Sequence, residues 1–265
     1  MTHDVRAPLS TARYLDRLAD DFARLRAVAT AADPAAVVPS CPDWTVTDLV
    51  RHVAQVYVDK THAIREGAES EWPPKGTEDA EPFALLDRAY ADLRTELTTR
   101  DPGDPAGGWY TPDRTVGFWI RRMAQETVIH RIDAELAAGQ EVAPVPEDLA
   151  VDGIDELLKV FTAFAVEEWP DAFTEALDGS PGRTIDIHAV GTKAAAWRIT
   201  TGPSRFAVED ALGDTPADLT LSAPPSPLLR HLWNRRTPSA PPRITTSGDQ
   251  QTLTTLHTCL TTATQ

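Results

Sequence analysis

The sequence is poor in cysteine: only Cys41 and Cys259, far apart. That excludes a disulfide scaffold and a cysteine-rich zinc site. It has no apolar run near the ~18 residues of a membrane span. The first twenty residues, "MTHDVRAPLSTARYLDRLAD", contain no apolar leader segment and turn acidic early. Basic residues are also in deficit: 25 Lys and Arg against 40 Asp and Glu, a formal charge of -15. Such a surface repels phosphate backbones and anionic lipid, so neither a nucleic-acid nor a membrane partner is expected. The expected location is the cytoplasm.

What remains is ordinary globular material. Hydrophobic residues make up 42% of 265, enough for one large domain or two small ones. Residues 11–31 space Leu15, Leu18, Phe22 and Leu25 by three and four, which predicts a helix. Thr45 followed by Asp48 has the form of a capping box, so a second helix should start near Val46 and stop at Gly67. A Pro-bounded turn should precede it. "EWPPKG" at 71–76 reads as a loop. A third helix is expected over about 81–99 and a fourth over about 115–138, with Gly139 just past its end. A fifth should end at Pro170.

After residue 171 the pattern changes. "RTIDIHAV" and "AAAWRITT" around "GTK" read as a hairpin, with "SRFAVED" and "ADLTLSA" as further strands. "PSPLLRHLWNRR" reads as a short helix and "PRITTSG" as a strand. The closing helix, "DQQTLTTLHTCLTTA", should be capped by Asp249. The expected domains are therefore 1–170, built on four long up-and-down helices, and 171–265, a small α/β unit.

The fourth helix carries an anomaly. Val116, Trp119, Ile120 and Met123 form an apolar stripe, and continuing it by three and four residues reaches Glu126 and His130. An unpaired carboxylate on a buried face is costly, so a partner is required. The second helix has a matching residue: His52 sits within the face set by Leu49, Val53, Val56 and Tyr57. Two imidazoles and one carboxylate from facing helices form a three-ligand set for a divalent metal with an open position. Zinc suits these donors, and Fe(II), Ni(II) and Mn(II) accept them too. The spacing also fits a plainer reading, a satisfied core histidine and a hydrogen-bonded Glu–His pair.

Three segments carry a resemblance. "VPSCPDWTVTDLVRHVAQV" (38–56), "MAQETVIHRIDAE" (123–135) and "ADLTLSAPPSPLLRHLWNRR" with the following "RITTSGD" are similar to signatures of the mycothiol-dependent maleylpyruvate isomerase family. The resemblance implies an α+β protein, a DinB-like four-helix bundle followed by a sterol-carrier-like α/β domain. It implies His52, Glu126 and His130 as ligands of one divalent metal, with zinc first, and mycothiol as cosubstrate. Asp43 departs from the small residue usual in the Cys-Pro-x-Trp motif, near the entry to helix two.

The chemistry agrees with the residue types. A thiol becomes a good nucleophile as thiolate, which a divalent cation favours. Addition to a cis-alkenoic acid, bond rotation and elimination isomerise it; stopping after addition gives an S-conjugate. The expected activity is isomerisation of a maleylpyruvate-like acid. Mycothiol S-transfer to another small-molecule electrophile is the close alternative, and a non-catalytic carrier of hydrophobic ligands the distant one. Either a monomer or a homodimer is compatible. Gln55, Trp119, Met123 and Arg198 are candidate substrate contacts. Gln55 could instead support the ligands, and core packing suits Trp119 and Met123 equally. Asp133, three residues after His130, either orients it or faces solvent. Trp44 should pack at the entrance of helix two, and Cys41 is read as structural. His62 lies off the face of His52, and His188, His231 and His257 show no metal spacing. Arg235 and Arg236 join Arg198 as arginines that either reach a carboxylate or are simply solvated.

Overall fold

A computed structural model of the chain describes residues 8–177, 181–210, 212–213, 215–236 and 243–264. These fall into two compact units, one covering Ser10–Ala143 and the other the described residues from Pro144 onward together with Pro8 and Leu9. No helix among the described residues is long and apolar enough to cross a membrane.

The first unit holds four long helices: α1 (Thr11–Ala31), α2 (Val46–Glu66), α3 (Pro82–Thr99) and α4 (Val116–Ala137). Each start has a local cause. Ser10, Thr45, Glu81 and Thr115 accept hydrogen bonds from the free amides of the first turn. The capping box is complete: Thr45 N donates to Asp48 Oδ2 at 2.9 Å while Asp48 N donates back to Thr45 Oγ1 at 3.3 Å. Gly67 ends α2 at φ 71°, a left-handed conformation that glycine adopts without a Cβ clash. Where a turn was expected before α2, the chain also forms a small antiparallel pair, β1 (Val37–Val38) with β2 (Cys41–Thr45).

α4 is the central element, buried on nearly every side. Its charged residues must therefore be paired. Arg131, 1% exposed, donates from Nε to Asp21 Oδ1 at 3.0 Å, and from one terminal nitrogen to Glu135 Oε2 at 2.7 Å and Ala143 O at 2.8 Å. Arg24 closes the network on the other oxygen of Glu135. This ties α1 to α4 through a network whose inner members, Arg131 and Glu135, have almost no access to water, while Arg24 lies at its exposed edge.

In the second unit a helical stretch opens with α5 (Glu147–Glu156), passes through a π-helical segment (Leu157–Ala163) and ends as α6 (Phe164–Glu168). A 3-10 turn (Pro170–Phe173) and α7 (Thr174–Leu177) follow. The strands are β3 (Arg183–Ala189), β4 (Ala195–Gly202), β5 (Arg205–Glu209), β6 (Leu219–Ala223) and β7 (Thr245–Gly248), in the order β5-β4-β3-β6-β7. Only the β3–β6 pairing is parallel. α8 (Pro225–Leu232) and α9 (Gln250–Ala263) complete it, and Asp249 caps α9 as expected. The division falls at 143/144, whereas a boundary at 170/171 was expected. The reason is the fifth helix, which is bonded into the second unit. Asp155 accepts from Trp197 Nε1 at 3.0 Å, Lys159 meets Asp210 at 2.7 Å, and Glu147 accepts from Lys193 N at 3.1 Å. Pro242, the first residue of the segment expected as the last strand, lies outside the described residues.

Candidate metal centre

The first unit brings together the three residues singled out on α2 and α4. Glu126 Oε1 lies 3.6 Å from His52 Nε2 and 3.0 Å from His130 Nε2. One donor atom from each residue lies within 4.8 Å of the other two. Ligands 2.0–2.1 Å from a tetrahedral ion sit roughly 3.3 Å apart, so these separations fit a single divalent cation. The donor set, two imidazole nitrogens and a carboxylate oxygen, fits as well.

Two of the three candidate donors, His130 and Glu126, are held by a partner on the far side. His130 Nδ1 lies 2.9 Å from Asp133 Oδ2. A carboxylate only accepts, so Nδ1 carries the proton and Nε2 is the nitrogen left for a metal. Asp133 is itself fully buried and fixed through its other oxygen by the Ser40 hydroxyl. Glu126 gives Oε2 to Arg122 at 2.6 Å, which leaves Oε1 facing the imidazoles. These supports account for the polar residues on a helix that is otherwise core.

The electrostatics follow from the same contacts. Burial alone would raise the Glu126 carboxyl, but the imidazoles and Arg122 outweigh it and hold it well below the usual range. Burial also opposes charge on His130, yet Glu126 and Asp133 raise it to about 9. His52 is lowered, chiefly by burial and against the pull of Glu126. Without a metal, His130 therefore favours the imidazolium, donating from Nδ1 to Asp133 and from Nε2 to Glu126, and a cation would displace the Nε2 proton.

Aromatic rings border the three side chains. The Trp44 ring centroid lies 4.6 Å from that of His52 and 6.3 Å from that of His130. Trp72 approaches His52 at 5.9 Å while remaining 53% exposed. Its loop is anchored at both ends. Asp59 accepts from Ser70 N at 3.0 Å, and one Arg51 nitrogen reaches the carbonyls of Thr77, Glu78 and Ala80 at 2.9, 2.7 and 3.0 Å.

Comparison with known proteins bears on what this centre belongs to. The family model described as the mycothiol maleylpyruvate isomerase N-terminal domain matches residues 15–135, and the MDMPI C-terminal domain matches residues 148–255. The chain belongs to the mycothiol maleylpyruvate isomerase family. A crystal structure of the mycothiol-dependent maleylpyruvate isomerase superposes with a TM-score of 0.58 at 14% identity, covering 90% of this chain and 93% of that one. A crystal structure of a histidine-to-alanine mutant of that isomerase gives 0.57 at 14% identity with the same coverage, 90% and 93%. At such identity the likeness is one of fold. No curated protein matches the chain in sequence.

Within this family member, the candidate substrate contacts have other partners. Trp119 is 0% exposed and donates from Nε1 to Gly107 O at 2.7 Å; Met123 is 1% exposed. Both are core residues with no surface for a ligand. Gln55 donates to Thr77 Oγ1 at 3.0 Å, so it holds the Trp72 loop. Arg198 is committed to Asp186 through both forks, at 2.7 and 2.8 Å, and to Thr215 O at 2.8 Å. The sequence reading missed Arg122, Ser40 and Trp72. Only Arg122 left a signal, an arginine one helical turn before Glu126.

Asp133 is a direct test of the support. Asp133→Asn should weaken divalent-metal affinity by about 10–100-fold, because the amide no longer fixes and polarises the imidazole. In the parent protein, apparent affinity should climb by up to about tenfold per pH unit toward 9, as the competing proton leaves His130. Titration with a competing chelator at several pH values measures both. Unchanged affinity in the variant would mean that Asp133 supports the fold only.

Proposed function

We propose that this protein is a divalent-metal-dependent, mycothiol-using isomerase of a cis-alkenoic acid resembling maleylpyruvate, with zinc as the metal. The observation that carries the reading is the convergence of His52 Nε2, Glu126 Oε1 and His130 Nε2 within a domain of this family. Mycothiol and maleylpyruvate are the thiol and the acid named for the family and for the two similar structures.

A bound divalent cation would stabilise a thiolate at neutral pH. The chain's own groups do the rest. His52, Glu126 and His130 would hold the ion. Asp133 keeps the proton on Nδ1 of His130, so that Nε2 stays a donor. Arg122 neutralises one Glu126 oxygen and stops the carboxylate from rotating away. Trp44 and Trp72 give the rim an apolar surface that excludes water around the reacting carbon.

The overall reaction balances without an oxidant. The thiolate sulfur forms a bond to one alkene carbon, and the π electrons move onto the adjacent carbonyl. The former double bond rotates as a single bond. Re-forming the π bond expels the same thiolate and leaves the trans acid.

The decisive measurement supplies metal-loaded protein with maleylpyruvate and either mycothiol or glutathione, and follows the vinyl protons by NMR. The expected result is catalytic cis-to-trans conversion with mycothiol and little with glutathione. Equal rates would sink the mycothiol assignment. An S-conjugate that accumulates and does not eliminate would make the activity thiol transfer to a small-molecule electrophile.

A further inference from the structure

The second unit contains a cluster of basic side chains that, among the described residues, pairs with no carboxylate. His231 lies on α8 and His257 on α9, and their Nε2 atoms are 3.3 Å apart. A terminal nitrogen of Arg236 lies 3.4 Å from the same His257 nitrogen. If the two neutral rings share a hydrogen bond with His257 Nε2 as acceptor, its single lone pair faces two donors, the His231 and Arg236 N–H groups. The Arg236 Nε is buried and has no acceptor among the described residues. Among the described residues, no carboxylate pairs with Arg236 or either imidazole. That is notable in a chain with 40 acidic and 25 basic residues.

The charge state tells the same story. His231 is pushed down to about 4, first by burial and then by Arg236 and His257. His257 is lowered by burial and by Arg236. Both rings are thus held toward the neutral form beside the Arg236 charge, which no carboxylate among the described residues offsets.

We infer that His231, Arg236 and His257 form a binding site for a small oxyanion, the carboxylate or phosphate group of a ligand. An oxyanion has enough lone pairs to accept from Arg236 and from both imidazoles together, which the three side chains cannot do among themselves. The other occupant to consider is a metal, since two imidazole nitrogens 3.3 Å apart suit one. The guanidinium 3.4 Å from one of them places a permanent positive charge beside that position and argues against it. The inference is independent of the proposed isomerase activity, because it uses none of the metal-centre residues.

The test uses the full-length, metal-loaded protein with labelled histidine rings. The seven histidines of the sequence are few enough to assign by single substitutions. Inorganic phosphate and acetate are titrated separately at constant ionic strength, with chloride as control. The expected result is saturable movement of the His231 and His257 signals toward the imidazolium position. Arg236→Gln should weaken it by about tenfold or more, the loss of a hydrogen bond to a charged group. Unmoved His52 and His130 signals in the variant would confirm that it is folded. Saturation by phosphate alone or by acetate alone tells which oxyanion the site prefers, and either supports the inference. No saturable shift, the same shift with chloride, or undiminished affinity in Arg236→Gln overturns it. So does movement of these two rings on adding one further equivalent of Zn²⁺.

Discussion

His52→Ala should strip the metal from the protein and abolish thiol-dependent turnover while leaving the fold in place. His52 is the least structural of the three donors. Its side chain is 25% exposed, and among the described residues its one ion-pair partner is Glu126 at 3.6 Å. Removing it leaves Glu126 still paired with Arg122 and His130, so no buried charge is orphaned. Only the donor is lost. Metal per chain should fall from about one toward zero after dialysis. Turnover should drop on the order of 10³-fold or more, the equivalent of losing several kcal/mol of electrostatic stabilisation. Elemental analysis beside a circular-dichroism melt reads both. Full metal content in the variant would remove His52 from the ligand set and with it the proposed centre.

Arg131→Ala should have the largest effect on stability, a loss of about 3–5 kcal/mol. Arg131 is 1% exposed and Glu135 fully buried. Its removal leaves Glu135 with Arg24 and the Ala143 amide, and leaves Asp21 without its principal partner. Burial already raises the Asp21 carboxyl against the pull of Arg131, so without Arg131 it should move up further. The midpoint of thermal unfolding should fall by on the order of 10 °C or more. A double-mutant cycle supplies the control: Glu135→Gln should cost less in the Arg131→Ala background than alone. Strictly additive costs would mean that the two residues do not share one network.

The parts of the fold that were legible in the sequence have short-range causes. Thr45 and Asp48 mark the start of α2 because a capping box spans three residues. Gly67, Gly139 and Asp249 mark ends and starts because φ preference and caps are local. The three donors were legible for a related reason. Helical period alone puts Glu126 and His130 on one stripe and His52 on the inner face of another helix, where polar groups have no business without a partner.

Local pattern did not reveal the π-helical segment at Leu157–Ala163 or the unit to which the fifth helix belongs. Nor could it say which candidate contacts were free. Gln55 is occupied by Thr77, Arg198 by Asp186, and Trp119 by Gly107.

By itself, then, the sequence determined the order of the main helices and strands, the stripe that carries Glu126 and His130, and the family. Those depend on caps, periodicity and motifs, whose physics acts within a few residues. The tertiary structure alone decided which oxygen of Asp133 and Glu126 faces which partner, that Trp72 stands at the rim, and that Arg131 reaches Asp21 across 110 positions of chain. A side chain's hydrogen-bond partner is chosen by burial and proximity in space. Residues so far apart along the chain leave no periodic trace of having met.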